Sequence, residues 1–139
     1  MSKKSAKIAA LVAGCSGGEF DPRYVGYFEC FNRELFYEAH DVLEELWLLD
    51  RNSPDYAYYK GLIQLAGAFV HLQKERLRPS AALFKLARAN LLQYPPVRHR
   101  LNVARTLNLI EDWLSALEGK NFTENPLRLR PSPKLSLDF

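Results

Sequence analysis

The sequence predicts an all-α protein, a single-domain antiparallel bundle of about five core helices followed by an extended C-terminal tail. Apolar residues recur at spacings of three and four in five segments, as they do on the buried face of a helix. Proline, glycine and asparagine separate these segments. No segment alternates polar and apolar residues well enough to indicate a strand. Because the connections are short, we expect neighbouring helices to run antiparallel.

Capping residues set the expected helix boundaries. Asp21-Pro22 and Ser53-Pro54 each combine an N-cap residue with a proline suited to the first helical position. Asn102 can cap the last core helix in the same way. We therefore expect core helices at about residues 22–32, 35–49, 54–77, 79–92 and 103–118.

Length and composition indicate one soluble domain. The chain has 139 residues, of which 47% are hydrophobic and 25% are charged. No apolar run approaches the roughly 18 residues that a membrane-spanning helix needs, and the run from Ile8 to Ala13 is shorter than the roughly 7–15 residues of a secretory signal core. We therefore expect a cytoplasmic protein that does not associate with membranes. Its expected parts are a short N-terminal helix or flexible arm at 1–20, the helical bundle at 21–119, and a tail packed on the bundle at 120–139.

Cysteine content and charge narrow the functional classes. Cys15 and Cys30 match no metal-binding spacing, and Cys30 is expected to act as a small core residue. Residues 1–60 contain seven Lys/Arg and ten Asp/Glu, whereas residues 61–139 contain twelve and six. A homodimer, an anionic ligand or ordinary solvated surfaces would each account for this asymmetry, and solvated surfaces are the default. A protein- or nucleic-acid-binding module using the basic half is an alternative, but the absence of a recognisable nucleic-acid-binding motif argues against nucleic acid.

The second predicted helix carries polar groups on a face that should be buried. Phe36, His40, Leu43, Glu44 and Trp47 recur at helical spacing and so share one face. A buried stripe does not ordinarily contain a histidine and a glutamate, so this face requires an explanation. His40 and Glu44 are four residues apart and can contact each other.

The third predicted helix carries a second polar pair, Gln64 and His71, which are seven residues apart and nearly on one face. If the second and third helices pack antiparallel, the two polar pairs converge, and Tyr37 or Tyr58 could join them. The sequence therefore predicts one polar cluster between these helices.

Four interpretations of the cluster are open. A satisfied buried network is the leading hypothesis, and a small-ligand pocket without chemistry is a second. His40, Glu44 and His71 would also be a usable ligand set for a divalent metal, although no CxxC or HExxH motif accompanies them. His40 with Glu44 could act in acid–base catalysis, as in a hydrolase, although no nucleophile or phosphate-binding loop is evident. The residues expected to contact a small ligand are Tyr37, Trp47, Gln64 and His71.

Two motifs in this sequence resemble a known family. The segment Phe36-Tyr37-Glu38-Ala39-His40-Asp41-Val42-Leu43-Glu44-Glu45-Leu46-Trp47 is similar to one signature of the family known as domain of unknown function 309, and residues 60–72 (KGLIQLAGAFVHL) are similar to its second. The likeness extends over about residues 22–118. Asp41 stands where the family usually has glutamate. The resemblance implies an all-helical fold but no particular activity or cofactor.

Overall fold

The computed structural model describes residues 3–16 and 18–138, and its fold is all-α, as predicted. Two short 3₁₀ turns at Ala13–Cys15 and Pro126–Arg128 and a two-stranded hairpin are the other regular elements of this part of the chain. The helices are α1 (Lys3–Leu11), α2 (Pro22–Asn32), α3 (Phe36–Trp47), α4 (Tyr56–Gln73), α5 (Leu77–Leu91) and α6 (Val103–Gly119). The strands are β1 (Val97–Arg98) and β2 (Leu101–Asn102).

The start of α2 agrees with the prediction, whereas α4 and α5 begin elsewhere. The Asp21 side chain accepts the Arg23 backbone N–H at 2.9 Å, and Pro22 occupies the first helical position. Before α4, the Ser53 hydroxyl accepts the Asp55 N–H at 3.0 Å, so Pro54 lies in a turn ahead of the helix rather than at its first position. Helix α5 begins at Leu77, two residues before the predicted start. Its Pro79 is tolerated because a first-turn N–H has no partner within the helix.

The β-hairpin was not expected from the sequence. Strands β1 and β2 pair antiparallel with Val97 opposite Asn102 and Arg98 opposite Leu101. The two turn residues, His99 and Arg100, have φ angles of 46° and 67°, in the left-handed region that a two-residue hairpin turn requires and that glycine usually fills. No glycine marks this turn, so the ordinary sequence signal for a hairpin is missing.

Helix α4 is the central helix of the core. Its Phe69 is fully buried, and its ring centroid lies 4.9–5.6 Å from those of four other aromatic rings, contributed by α2, α3, α5 and α6. Those rings belong to Phe31, Phe36, Phe84 and Trp113. Because one side chain contacts rings from four helices, α4 fixes the positions of α3 and α5 on its two sides, and the candidate site lies between them.

Segments near both ends of the described chain contact the bundle. Ile8 of α1 is buried with Val12 and Val42, and Gly26 of α2 allows Val12 to approach so closely that a Cβ there would overlap it. At the other end, the Asn32 side chain exchanges two 2.7 Å hydrogen bonds with the backbone of Leu135. The predicted division into arm, bundle and tail at residues 20 and 119 stays a prediction. Among the described residues, no helix has both the length and the apolar character needed to cross a membrane.

Candidate functional site

A groove with a volume of about 200 Å³ lies between α3, α4 and α5. Four of the polar residues highlighted by the sequence border it: Tyr37 and His40 from α3, and Gln64 and His71 from α4. The remaining lining residues, Ile63, Gly67, Val70 and Leu83, present no polar side-chain atoms. The structure therefore brings together a polar rim from two helices around an apolar interior.

The floor of the groove is one face of α4. Ile63, Gln64, Gly67, Val70 and His71 follow one another at spacings of one, three, three and one residues and all line the groove. Gly67 lies at the centre of this face, and its lack of a side chain leaves the floor open. A Cβ at this position would lie 3.2 Å from the Leu83 Cδ1. Gln64 and His71 are two turns apart, or about 10 Å along the helix axis. The groove is thus elongated, with one polar group near each end of its floor.

His71 carries a polar atom that the fold does not satisfy. Its Nδ1 is buried and has no hydrogen-bond partner among the described residues. Burial, with smaller contributions from Arg76 and Lys74, lowers the pKa of His71 from 6.5, so the ring is neutral at pH 7. A buried N–H without an acceptor is costly, so the favoured tautomer carries its proton on Nε2. The N–H donor of the His71 ring is therefore Nε2, and His71 is one of the residues that line the groove.

Gln64 is held by a residue on the opposite helix. The Asn90 side-chain amide donates to the Gln64 Oε1 at 2.7 Å. Gly61 makes this contact possible, because a Cβ at Gly61 would lie 3.2 Å from the Asn90 Cβ and 2.9 Å from the Leu91 Cγ. A helix interior glycine costs roughly 1 kcal/mol relative to alanine, and here it permits the close approach of α5.

His40 lies between the groove and a group of charges outside it. Its Nδ1 is 3.2 Å from the Asp41 Oδ1, and its ring stacks beside that of Tyr37 with centroids 6.4 Å apart. The Glu44 Oε1 accepts a 3.1 Å hydrogen bond from Lys4 of α1, and the other Glu44 oxygen is 3.9 Å from the His40 Nε2, too long for a hydrogen bond. Glu44 consequently does not line the groove, and the predicted four-residue convergence reduces to His40, Gln64 and His71.

The metal-ligand set predicted from the sequence is not assembled. In residues 3–16 and 18–138, no group of three or more His, Cys, Asp or Glu side chains is arranged to hold a metal ion. His40, Glu44 and His71 as ligands of a divalent metal stay a prediction that the geometry does not support.

Trp47 and Tyr58, the other aromatic residues considered for the cluster, lie elsewhere. The Trp47 ring packs against Tyr56 with centroids 5.0 Å apart, two helical turns beyond His40. The Tyr58 hydroxyl is 2.7 Å from that of Tyr24, inside the core. Neither lines the groove, because the rotation of each helix turns them towards other neighbours.

A second polar cluster, which the sequence did not indicate, supports the β-hairpin. The Asp55 Oδ1 is 2.8 Å from the His99 Nε2 and 2.6 Å from the Arg98 NH2 nitrogen, and the Tyr24 hydroxyl donates to the His99 carbonyl at 2.9 Å. Burial raises the pKa of Tyr24 and of Tyr58 well above 10, so both hydroxyl groups stay protonated. These contacts are internal and stabilise a turn in a strained conformation.

A larger cavity, of about 300 Å³, lies at the end of α6. Its charged residues, Lys120, Glu124 and Arg130, are exposed side chains with mixed signs, and it contains no histidine. The smaller groove has an apolar floor, polar groups from two helices and one buried unsatisfied nitrogen. It is therefore the stronger candidate site.

The fold and groove together define a small all-α protein with a histidine-bordered pocket on its central helix. Residues 24–90 match the model of the family described as Domain of unknown function (DUF309). The match thus confirms, over these residues, the resemblance inferred from the two sequence motifs. Every lining residue of the groove, and Asn90 beside it, falls within the matched residues. No curated protein and no solved structure matched the chain.

Proposed function

We propose that this protein binds a small organic molecule in the groove between α3, α4 and α5. The observation that supports the proposal is the set of three polar side chains, His40, Gln64 and His71, that border an apolar groove without pairing with one another. In a purely structural network these groups would satisfy each other. Instead, Asp41 contacts His40, Asn90 contacts Gln64, and the buried nitrogen of His71 has no partner among the described residues.

The dimensions of the groove limit its ligand. A volume of about 200 Å³ is smaller than the roughly 300–1,000 Å³ of sites for drug-sized molecules. Gly67 and Val70 offer an apolar surface between the polar groups of Gln64 and His71. The ligand that fits is short and elongated, with an apolar body and a polar group at one end or at both.

Acid–base catalysis by His40 and Glu44 is not part of this proposal. Glu44 is not among the residues that line the groove, its carboxylate is 3.9 Å from the His40 Nε2, and it forms an ion pair with Lys4. The glutamate contacts solvent and α1, so nothing in the geometry directs it at a bound molecule.

The proposal is tested by titrating the protein with three six-carbon probes, hexanoate, hexan-2-one and hexylamine, while recording NMR spectra. We expect saturable shifts of the Gly67 backbone amide and the His71 ring for at least one probe. Val70→Phe, which fills the groove, should abolish these shifts.

Leu86→Phe is the matched control, because Leu86 is 51% exposed on α5 and does not line the groove. That variant should bind the probes as the wild type does. Shifts that survive Val70→Phe, or no saturable shift with any probe, would overturn the proposal.

A further inference from the structure

We infer that Asn90 determines which ligands the groove accepts, by orienting the side-chain amide of Gln64 so that its N–H groups face the ligand. The groove then selects a molecule whose polar end accepts hydrogen bonds, such as a carboxylate or a ketone, over one that only donates them. This inference rests on the proposed function, since it concerns the chemistry of the same groove.

The first step is the direction of the Gln64 amide. A glutamine side chain ends in one acceptor oxygen and one NH₂ group with two donors. The Asn90 NH₂ group donates to the Gln64 Oε1 at 2.7 Å, so the oxygen faces α5 and the Nε2 projects away from that contact. Gln64 lines the groove, and in residues 3–16 and 18–138 no group accepts a hydrogen bond from its Nε2.

The second step is what holds Asn90 in place. Its Cβ packs against the backbone at Gly61, where a side chain would come within 3.2 Å. On the solvent side, the Asn90 Oδ1 lies 3.5 Å from the Gln93 Nε2, a weak contact that nevertheless favours an oxygen on that side. Asn90 therefore presents its NH₂ group, not its oxygen, to Gln64.

The third step concerns the other end of the groove floor. His71 is neutral and carries its proton on Nε2, because its buried Nδ1 has no acceptor. Lys74 and Arg76 lie close enough to His71 to affect its titration, and both are positively charged. Both ends of the floor thus favour a hydrogen-bond acceptor, and an ammonium group would leave the Gln64 N–H groups unpaired.

The deciding experiment reverses the amide without removing it. In Asn90→Asp the new carboxylate can only accept, so Gln64 must turn its Nε2 towards α5 and its oxygen into the groove. We expect the wild type to bind hexan-2-one and hexanoate about tenfold more tightly than hexylamine, and the variant to lose about tenfold in affinity for hexan-2-one. Hexan-2-one is uncharged, so the added charge alone cannot explain a loss of affinity for it.

Ala89→Glu is the matched control, since it adds a negative charge at an exposed position next to Asn90 and leaves the contacts of Asn90 with Gln93 and Gln64 in place. Its affinity for hexan-2-one should stay within about twofold of the wild-type value. If Asn90→Asp fails to fold, Gln64→Glu gives the same readout, because its carboxylate keeps the bond from Asn90 and presents only acceptors to the groove.

The outcomes separate the two proposals. If the wild type binds a probe in the groove but Asn90→Asp (or Gln64→Glu) leaves the preference for hexan-2-one over hexylamine unchanged, the role of Asn90 is overturned and ligand binding stands. If the wild type binds none of the three probes, both proposals fall.

Discussion

The hydroxyl groups of Tyr24 and Tyr58 lie 2.7 Å apart in the core and join α2 to α4. Tyr24 also donates to the His99 carbonyl at 2.9 Å, and the Tyr58 hydroxyl lies 3.3 Å from the Arg98 carbonyl. Through these contacts two buried tyrosines hold both sides of a hairpin turn whose backbone conformation is unfavourable for residues other than glycine.

Tyr58→Phe should lower the free energy of unfolding by about 1–3 kcal/mol, because it leaves buried polar groups without their partner. Urea unfolding monitored by circular dichroism measures the change. Tyr37→Phe is the control, since Tyr37 is 53% exposed, and it should stay within about 0.5 kcal/mol of the wild type. A loss no larger than that of the control would show that the Tyr24–Tyr58 contact does not contribute to stability.

The two interior glycines of α4 should respond oppositely to alanine. At Gly61 a Cβ would lie 2.9 Å from the Leu91 Cγ, so Gly61→Ala should destabilise the protein by about 1–3 kcal/mol. At Gly67 the nearest atom is the mobile end of Leu83 at 3.2 Å, so Gly67→Ala should leave stability unchanged or raise it by up to about 1 kcal/mol. Thermal and urea unfolding of the two variants test this. Equal losses in the free energy of unfolding for Gly61→Ala and Gly67→Ala would contradict the close packing inferred at Gly61 and the open space inferred at Gly67.

The same Gly67→Ala variant should weaken probe binding in the groove, because the added methyl group occupies part of its floor. Stability and binding would then change in opposite directions, as expected where a binding site keeps an unfavourable residue. The measurement is the hexan-2-one titration. Unchanged affinity would indicate that the probe does not contact the groove floor.

The N-terminal segment should detach when Gly26 is replaced. A Cβ at Gly26 would overlap the Val12 Cγ1, so Gly26→Ala should displace residues 3–16 while the bundle stays folded. Limited proteolysis within residues 3–16, followed by mass spectrometry, measures this release. Gly14→Ala is the matched control, because nothing lies within 4 Å of its added Cβ. Equal cleavage rates in the two variants would rule out docking through this contact.

The His71 ring should titrate below pH 6.5 in the folded protein. Burial lowers its pKa there, with help from Arg76 and Lys74, so the unfolded state takes up a proton first as the pH falls. The contribution of the neutral His71 ring to the free energy of unfolding is therefore complete above about pH 6.5. It is lost as the pH falls from there through the pKa of His71 in the folded state.

An NMR titration of the His71 ring measures its pKa directly. His71→Gln should in addition flatten the dependence of stability on pH over the same range, measured by urea unfolding. A ring midpoint at or above 6.5 would contradict the burial of Nδ1.

Local features of the sequence determined the helices and the identity of most polar groups in the groove. Asp21 and Pro22 predicted the start of α2 because capping depends on atoms only two or three residues apart. The same holds for the placement of Gln64 and His71 on one face of α4, which follows from helical periodicity. Where a neighbour in sequence decides the geometry, the pattern alone was sufficient.

Tertiary packing decided the rest, because it depends on residues far apart in the chain. Glu44 shares a helix face with His40 in the sequence pattern, yet it does not line the groove, and its carboxylate pairs with Lys4 of α1. Asn90 gave no signal of its own, and its contact with Gln64 exists only because Gly61 lets α5 approach α4. Periodicity identifies which residues share a helix face, but the packing of large side chains such as Phe69 sets which faces meet.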